Sequence, residues 1–218
     1  IDSDYLCDFF ERNKDEAFVA YYPMLLPHFP FQPTPDSKEW NPEESREYPT
    51  KEWRDEWFRD MVGYTDKVVG KLVDKLEALG LRENTLIIFT GDNGTYAGMK
   101  SQFKGETYTG GKGSPKDNGT HVPLIVNWPG TTQPEQVSSS LIDFSDMLPT
   151  AAEIAGIEVP SEWKIDGRSF ASEIRGTAPA PREWIYCWYH RDGDRAKATQ
   201  HVRTQQFKLY SGGEFFDV

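Results

Sequence analysis

The sequence lacks most of the features that would place it among disulfide-rich, zinc-binding or membrane-spanning proteins. It has 2 cysteines, Cys7 and Cys187, and they form no Cys-x-x-Cys pair, so neither a disulfide framework nor a zinc site is predicted. No apolar run approaches the roughly 18 to 20 residues of a membrane-spanning helix, and the mean hydropathy is -0.67. We therefore expect a globular chain with no membrane span.

Positive charge is also scarce. The chain has 24 Lys and Arg against 35 Asp and Glu, which gives a formal net charge of -11, and the basic residues form no cluster of the kind that nucleic acid requires. An acidic protein can still hold an anion in a local basic pocket.

The chain begins Ile1-Asp2-Ser3-Asp4, with neither an initiating methionine nor a signal sequence, so we expect it to continue upstream in the natural protein.

Helices and strands are predicted to alternate in the first part of the chain. Residues 4–14 are typical of a short helix and residues 17–22 of a strand. Apolar residues three or four apart predict a helix over 51–79, and a buried-type strand follows over 85–90. Because a helix joins the two strands, we expect them to be parallel, with their carboxyl ends at one edge of a sheet.

The later chain changes in pattern. A loop over 95–120, rich in Gly, Lys and Thr, is predicted to be unstructured and functional. A strand over 122–128 follows, and then a short helix that Asp143 caps. Short aromatic segments near the C-terminus are typical of an antiparallel meander.

These elements predict an α/β fold, with a parallel or mixed sheet flanked by helices and a small C-terminal antiparallel β subdomain. We expect residues 1–160 to form the α/β core. Residues 161–218 are expected to form a linker and the β-rich subdomain.

The strand over 85–90 ends in Asp92-Asn93-Gly94. Asp92 and Asn93 offer hard oxygen atoms, which suit Ca²⁺ or Mg²⁺ better than a transition metal, and Gly94 would allow a sharp turn. The same triplet is also ordinary turn chemistry, in which an Asx turn simply closes the strand. Both interpretations stay open on this motif alone.

Two further residues are expected at the same edge of the sheet. His28 follows the first predicted strand, and Lys112 lies among glycines in Gly110-Gly111-Lys112-Gly113. Glycines let the backbone approach a bound anion while the ammonium supplies charge, an arrangement that suits phosphate or sulfate. Taken singly, a packed loop histidine and a solvated lysine are the simpler alternatives. We interpret His121 as structural.

The order of these motifs closely resembles that of the sulfatases of the alkaline-phosphatase-like superfamily. The resemblance covers essentially the whole chain and rests on 27–30, 84–94, 110–113, 122–130, 143–156 and 166–169. It implies that Asp92 and Asn93 are two ligands of Ca²⁺, with Mg²⁺ as the alternative. It also implies that Lys112 contacts the sulfate group and that His28 contacts an ester or sulfate oxygen, both as catalytic and substrate-binding residues.

The chain departs from the sulfatase pattern at the nucleophile. The family converts a Cys or Ser in Cys/Ser-x-Pro-x-Arg to formylglycine, whereas Cys7 precedes Asp-Phe-Phe and Cys187 precedes Trp-Tyr-His. The chain therefore resembles the C-terminal portion of a sulfatase. Formylglycine and the remaining calcium ligands are expected upstream, in the N-terminal portion of the same protein, and this chain alone is expected to be inactive.

The resemblance implies a sulfuric ester hydrolase acting on a sulfated carbohydrate or on an aryl or alkyl sulfate. The expected partner is thus a sulfate-ester small molecule or a sulfated glycan, in a periplasmic, secreted or lysosomal-type compartment. The alternatives are a non-catalytic module that binds sulfated glycans and a phosphoryl-ester hydrolase of the same superfamily. Asp92-Asn93 favours the sulfatase, because the related phosphatases tend to place Asp-His in this turn and bind transition metals.

Overall fold

The structure is a computed structural model that describes residues 2–43 and 55–218. The chain forms two units, which are considered separately. Unit 1 comprises Ile1–Thr85 and Thr95–Gly110, and unit 2 comprises Leu86–Gly94 and Gly111–Val218. The predicted division near residue 160 stays a prediction.

Five α-helices, two three-residue 3-10 helices and eight strands are assigned within the described residues. The helices are α1 Asp2–Arg12, α2 Asp55–Ala78, α3 Asp117–Thr120, α4 Met147–Ile154 and α5 Ala171–Ile174. The strands are β1 Ile87–Thr90, β2 Lys100–Phe103, β3 Glu106–Thr109, β4 Leu124–Asn127, β5 Ile185–Tyr189, β6 Thr199–Arg203, β7 Phe207–Tyr210 and β8 Phe215–Asp217. No helix in the described parts of the chain is long and apolar enough to cross a membrane.

The long helix α2 organises unit 1. Its buried residues recur three or four apart along most of one face, and they are Trp57, Met61, Thr65, Val68 and Leu76. The helix ends where Gly80 adopts a left-handed φ of 70°, and the Leu81 N–H donates to the Leu76 carbonyl at 2.9 Å, a glycine-terminated helix end. The predicted helix is confirmed, although its first residues, 51–54, lie outside the described residues.

The predicted strand over 17–22 is wrong. No strand is assigned there, and Val19 and Tyr21 are 83% and 86% exposed. Phe18 instead packs its ring on Phe10 of α1, with the ring centroids 5.5 Å apart. An apolar run becomes a strand only when another strand satisfies its backbone groups, and no described segment pairs with this one. Because residues 17–22 form no strand, the expectation that they run parallel to the strand over 85–90 is also wrong.

The loop predicted over 95–120 is structured. Strands β2 and β3 form an antiparallel hairpin within unit 1. Lys104 and Gly105 at its tip both have positive φ, 51° and 83°, which matches the two-residue turn favoured in hairpins. The hairpin is anchored at its base by Met99, which is buried in a cluster with Phe31, Trp57 and Met61. The prediction failed because polar, exposed strand residues carry little hydrophobic signal.

In unit 2, β1 pairs antiparallel with β4, with Ile87 opposite Asn127 and Thr90 opposite Leu124. Both strands were predicted, at slightly greater length. Asp143 is confirmed as a cap, but of the short 3-10 turn Phe144–Asp146 that leads into the next helix, because its carboxylate accepts a hydrogen bond from the Ser145 N–H at 2.9 Å. Helix α4 follows, and Gly156 just beyond it has a left-handed φ of 68°.

The C-terminal meander is confirmed as a four-stranded antiparallel sheet in the order β5-β6-β7-β8. Most of its large apolar side chains are partly exposed, and two polar residues are buried instead. His201 on β6 and Lys208 on β7 are each only 2% exposed. Lysine is almost never fully buried unless it is paired, so we expect the ammonium of Lys208 to bind a specific partner.

Candidate functional site

The Asp92-Asn93 turn lies directly beyond β1 in unit 2. Asp92 is exposed and Asn93 is half-buried. The next residue, Gly94, donates its N–H to the Gly119 carbonyl at 2.9 Å. A Cβ on Gly94 would overlap the Asn118 carbonyl oxygen and lie 2.7 Å from the Gly119 Cα. Gly94 does not have the left-handed φ of a sharp turn, so glycine is required there by the close approach of a second backbone segment.

That second segment is α3, and it also contacts the Lys112 loop. A Cβ on Gly119 would overlap the Gly111 carbonyl oxygen, and a Cβ on Gly111 would overlap the Asn118 side chain. We call Gly94, Gly111 and Gly119 the glycine junction. At this junction α3 contacts both the loop that carries Asp92-Asn93 and the loop that carries exposed Lys112. These three predicted site residues therefore lie on segments that meet in the folded unit.

A group of charged residues holds the start of α3. Asp117 accepts a hydrogen bond from the Lys208 ammonium at 2.8 Å and another from the Arg203 guanidinium. Lys208 also donates to the Pro115 carbonyl at 2.8 Å. We call Asp117, Arg203 and Lys208 the Asp117 cluster. Partial burial would raise the pKa of Asp117, but the hydrogen bonds and charges of Lys208 and Arg203 outweigh it and lower that pKa.

Sequence reasoning missed the Asp117 cluster. Its ion pairs join residues 86 and 91 positions apart in the chain, so no local motif contains both partners. The only hint in the sequence is a lysine inside a short aromatic strand segment, Phe207-Lys208-Leu209-Tyr210.

His201 lies beside the Asp117 cluster. Its imidazole Nδ1 is buried and has no hydrogen-bond partner in the described structure. Burial and, to a lesser extent, the positive charge of Lys208 together lower the pKa of His201 to about 4, against a smaller opposing effect of Asp117. The side chain is therefore neutral at physiological pH.

His28 belongs to unit 1, whereas Asp92, Asn93 and Lys112 belong to unit 2. His28 is exposed. Its Nδ1 pairs with the Phe29 carbonyl oxygen, and its backbone N–H donates to the Leu25 carbonyl at 2.8 Å. The neighbouring Phe29 ring stacks on Tyr96 with centroids 4.7 Å apart. The expected position of His28 beside the other three residues stays a prediction.

The donor chemistry of Asp92 and Asn93 fits a hard cation, but the pair supplies only part of a site. Ca²⁺ takes about 6 to 8 oxygen ligands. Among residues 2–43 and 55–218, no group of three or more His, Cys, Asp or Glu side chains is placed to hold a metal. The Asp92-Asn93 turn therefore does not form a complete metal site together with other described His, Cys, Asp or Glu side chains.

An alkaline-phosphatase-like α/β fold is confirmed by comparison with solved structures. The structure of Ps i-CgsB matches 99% of this chain with a TM-score of 0.75 and 27% sequence identity. The structure of BT4656 in complex with its substrate, D-glucosamine-2-N,6-O-disulfate, matches 74% of the chain with a TM-score of 0.57 and 27% identity. The chain corresponds to 47% and 34% of these two proteins.

Sequence comparison defines the family. The sulfatase family model matches residues 3–157, and the model for the C-terminal region of N-sulphoglucosamine sulphohydrolase matches residues 112–216. The chain belongs to the sulfatase family. It is 30% identical to human arylsulfatase A over 201 residues, which are 91% of this chain and 36% of that protein. The chain thus spans well under half the length of the curated relatives it matches.

Proposed function

We propose that the protein containing this chain hydrolyses sulfate esters and that this chain supplies part of the active site. In this proposal Asp92 and Asn93 bind Ca²⁺, with Mg²⁺ as the alternative, and Lys112 and His28 bind the sulfate group. The glycine junction is the observation that carries the proposal. In a chain of the sulfatase family, it joins a turn of hard-cation ligands to a glycine-flanked lysine.

Each residue has a distinct chemical task. The Lys112 ammonium offsets negative charge on the sulfate oxygens, including charge that develops as the S–O bond breaks. Asp92 and Asn93 would hold the cation, which would supply Lewis-acid stabilisation to the sulfate ester when bound. An N–H of the His28 ring donates a hydrogen bond to the leaving oxygen.

The nucleophile is proposed to be formylglycine in the N-terminal portion of the same protein, together with the remaining metal ligands. Neither Cys7 nor Cys187 has the Pro and Arg that the formylglycine signature requires. The chain also matches less than half of the relatives it resembles. We therefore propose that the chain is inactive when separated from that portion.

The proposed substrate is a sulfated carbohydrate. The match to BT4656, whose substrate is a disulfated glucosamine, supports this class. Aryl or alkyl sulfates are the alternative substrates, since the chain is also similar to human arylsulfatase A. Family resemblance alone supports a periplasmic, secreted or lysosomal-type compartment.

The test uses the full natural protein that contains this chain, with 4-nitrophenyl sulfate, 4-nitrophenyl phosphate and D-glucosamine-2-N,6-O-disulfate as probes. Lys112→Ala should lower kcat/KM by about 10²- to 10³-fold, as expected when a preorganised charge at the reacting group is removed. Lys164→Ala removes an exposed lysine of the same unit and should leave kcat/KM unchanged.

The two alternatives give different results in the same experiment. A glycan-binding module would bind the sulfated sugar more weakly after Lys112→Ala, but the unaltered protein would release no sulfate. A phosphoryl-ester hydrolase would cleave 4-nitrophenyl phosphate in preference to the sulfate ester. Either result would contradict the proposed function.

A further inference from the structure

Lys208 is a buried cation that the proposed reaction does not use. Removing an ammonium from water is strongly unfavourable unless hydrogen bonds and an opposite charge compensate it. Both of its hydrogen bonds, to the Asp117 carboxylate and the Pro115 carbonyl, reach the start of α3. Arg203, on the neighbouring strand, pairs with the other oxygen of the same carboxylate. Two cations of the C-terminal sheet are therefore directed at one short helix.

Helix α3 needs such support. It has 4 residues, and its N-cap Lys116 makes no side-chain capping hydrogen bond. Isolated helices shorter than about 12 residues are marginal in water. The cluster therefore supplies a constraint on the position of α3 that the helix does not supply itself.

The same helix contacts both loops of the candidate site. The Gly119 carbonyl accepts the hydrogen bond from Gly94, next to Asp92-Asn93, and Gly119 lies against Gly111, next to Lys112. Because these contacts involve backbone atoms, a shift of α3 would displace both loops together.

We propose that Lys208 and Arg203 are positioning residues: through Asp117 and α3, they hold the Asp92-Asn93 turn and the Lys112 loop in the arrangement that sulfate-ester hydrolysis requires. The link from the C-terminal sheet to the glycine junction is a property of the fold. Its effect on catalysis rests on the proposed function.

A second buried ion pair in unit 2 provides a matched control. Arg182 pairs with Asp146, and their side chains are only 9% and 2% exposed. Asp146 also accepts backbone hydrogen bonds from Asp143 at 2.8 Å and Arg168 at 2.7 Å. These contacts hold the start of α4, so Arg182→Met should reduce stability without acting on the glycine junction.

The experiment compares Lys208→Met with Arg182→Met in the full natural protein, each at a temperature equally far below its own Tm. Hydrogen exchange of the Gly94 amide reports the bond to Gly119 directly. Lys208→Met should speed this exchange by about tenfold or more, because one partner of a buried ion pair is lost. Arg182→Met should leave the exchange of Gly94 within about twofold of the unaltered protein.

Kinetics with 4-nitrophenyl sulfate provide the second measurement. Lys208→Met should lower kcat by about tenfold or more, because small displacements of positioned groups have large effects on rate, and Lys208→Arg should restore much of the loss. If Lys208→Met does not fold, Arg203→Met tests the same link from the other cation.

Equal Gly94 exchange in the Lys208→Met and Arg182→Met proteins would overturn the positioning role. A change in exchange without a change in kcat would also overturn it, since the link would then be structural only. If the unaltered full protein releases no sulfate while Lys208→Met still speeds Gly94 exchange selectively, the proposed function fails and the link from sheet to junction stands.

Discussion

Asp117 and Asp146 are both carboxylates of unit 2 that pair with arginine, yet their surroundings differ. Asp146 is buried, and it accepts hydrogen bonds from Arg182 and from two backbone N–H groups, one of them only three residues away. Asp117 is 43% exposed and pairs with two cations that lie far away in the sequence.

Because their surroundings differ, we expect the loss of each carboxylate to have a different consequence. Asp146 is surrounded by groups that fix a helix start, so its loss should act mainly on the free energy of unfolding. Asp117 lies at one end of a chain of contacts that reaches Gly94 and Gly111. Its loss should act mainly on the geometry of the candidate site.

The largest expected effect on stability is that of Asp146→Ala. It leaves the guanidinium of Arg182 buried without its carboxylate, and breaking a buried ion pair in this way costs about 3–5 kcal/mol. Urea unfolding of the full natural protein measures the change in free energy. A loss below about 1 kcal/mol, the range of a surface ion pair, would contradict the assignment of Asp146 as a structural anchor.

The next prediction concerns pH and His201. The unfolded chain binds a proton on this histidine near its ordinary pKa of 6.5, whereas the folded protein does so only near pH 4. Because the unfolded state binds more protons in that window, stability should be fully present above about pH 6.5 and fall as the pH drops towards 4. The total loss is roughly 3 kcal/mol.

The measurement is the free energy of unfolding between pH 7 and pH 4 for the unaltered protein and for His201→Phe. The variant has no imidazole to protonate, so its stability should fall less over this window, and the difference between the two curves isolates His201. Parallel curves would show that His201 does not make the proposed contribution.

A smaller effect is expected at the glycine junction. Gly94→Ala would place a Cβ against backbone atoms of Asn118 and Gly119, and forced overpacking of this kind costs about 1–3 kcal/mol. It should also weaken Ca²⁺ binding by the full natural protein, measured by calorimetry.

Gly63→Ala is the matched control for Gly94→Ala. Gly63 lies in α2, and a Cβ there would meet no atom within 4 Å. Alanine should therefore stabilise the helix by about 0.5–1 kcal/mol. Equal tolerance of alanine at both glycines would contradict the close approach described at the junction.

The smallest effect is expected from Glu153→Gln. Glu153 pairs with Arg175 at 2.7 Å, but the two side chains are 47% and 38% exposed. Ion pairs at such positions contribute about 0–1 kcal/mol. If Glu153→Gln lowered the free energy of unfolding as much as Asp146→Ala does in the same urea experiment, the predicted difference between buried and exposed ion pairs would be wrong.

Local patterns predicted the elements that depend on nearby residues. The spacing of apolar residues in α2, the glycine at its end, the Asp143 cap and the C-terminal meander are each set by interactions within a few residues or between adjacent strands. The strand predicted over 17–22 failed because its existence depends on a distant pairing partner. The hairpin of β2 and β3 was missed because its stability depends on Met99 in a core assembled from separate segments.

The sequence by itself determined the family, and it predicted a hard-cation site at Asp92-Asn93 and an anion contact at the glycine-flanked Lys112, because residue type and spacing carry that chemistry. Only the tertiary structure showed why Gly94, Gly111 and Gly119 are glycines and why Lys208 is buried. Backbone segments far apart in the chain approach too closely there for a Cβ. The carboxylate that pairs with Lys208 lies 91 residues away. Such contacts leave no local pattern, since their energy arises only when the chain is folded.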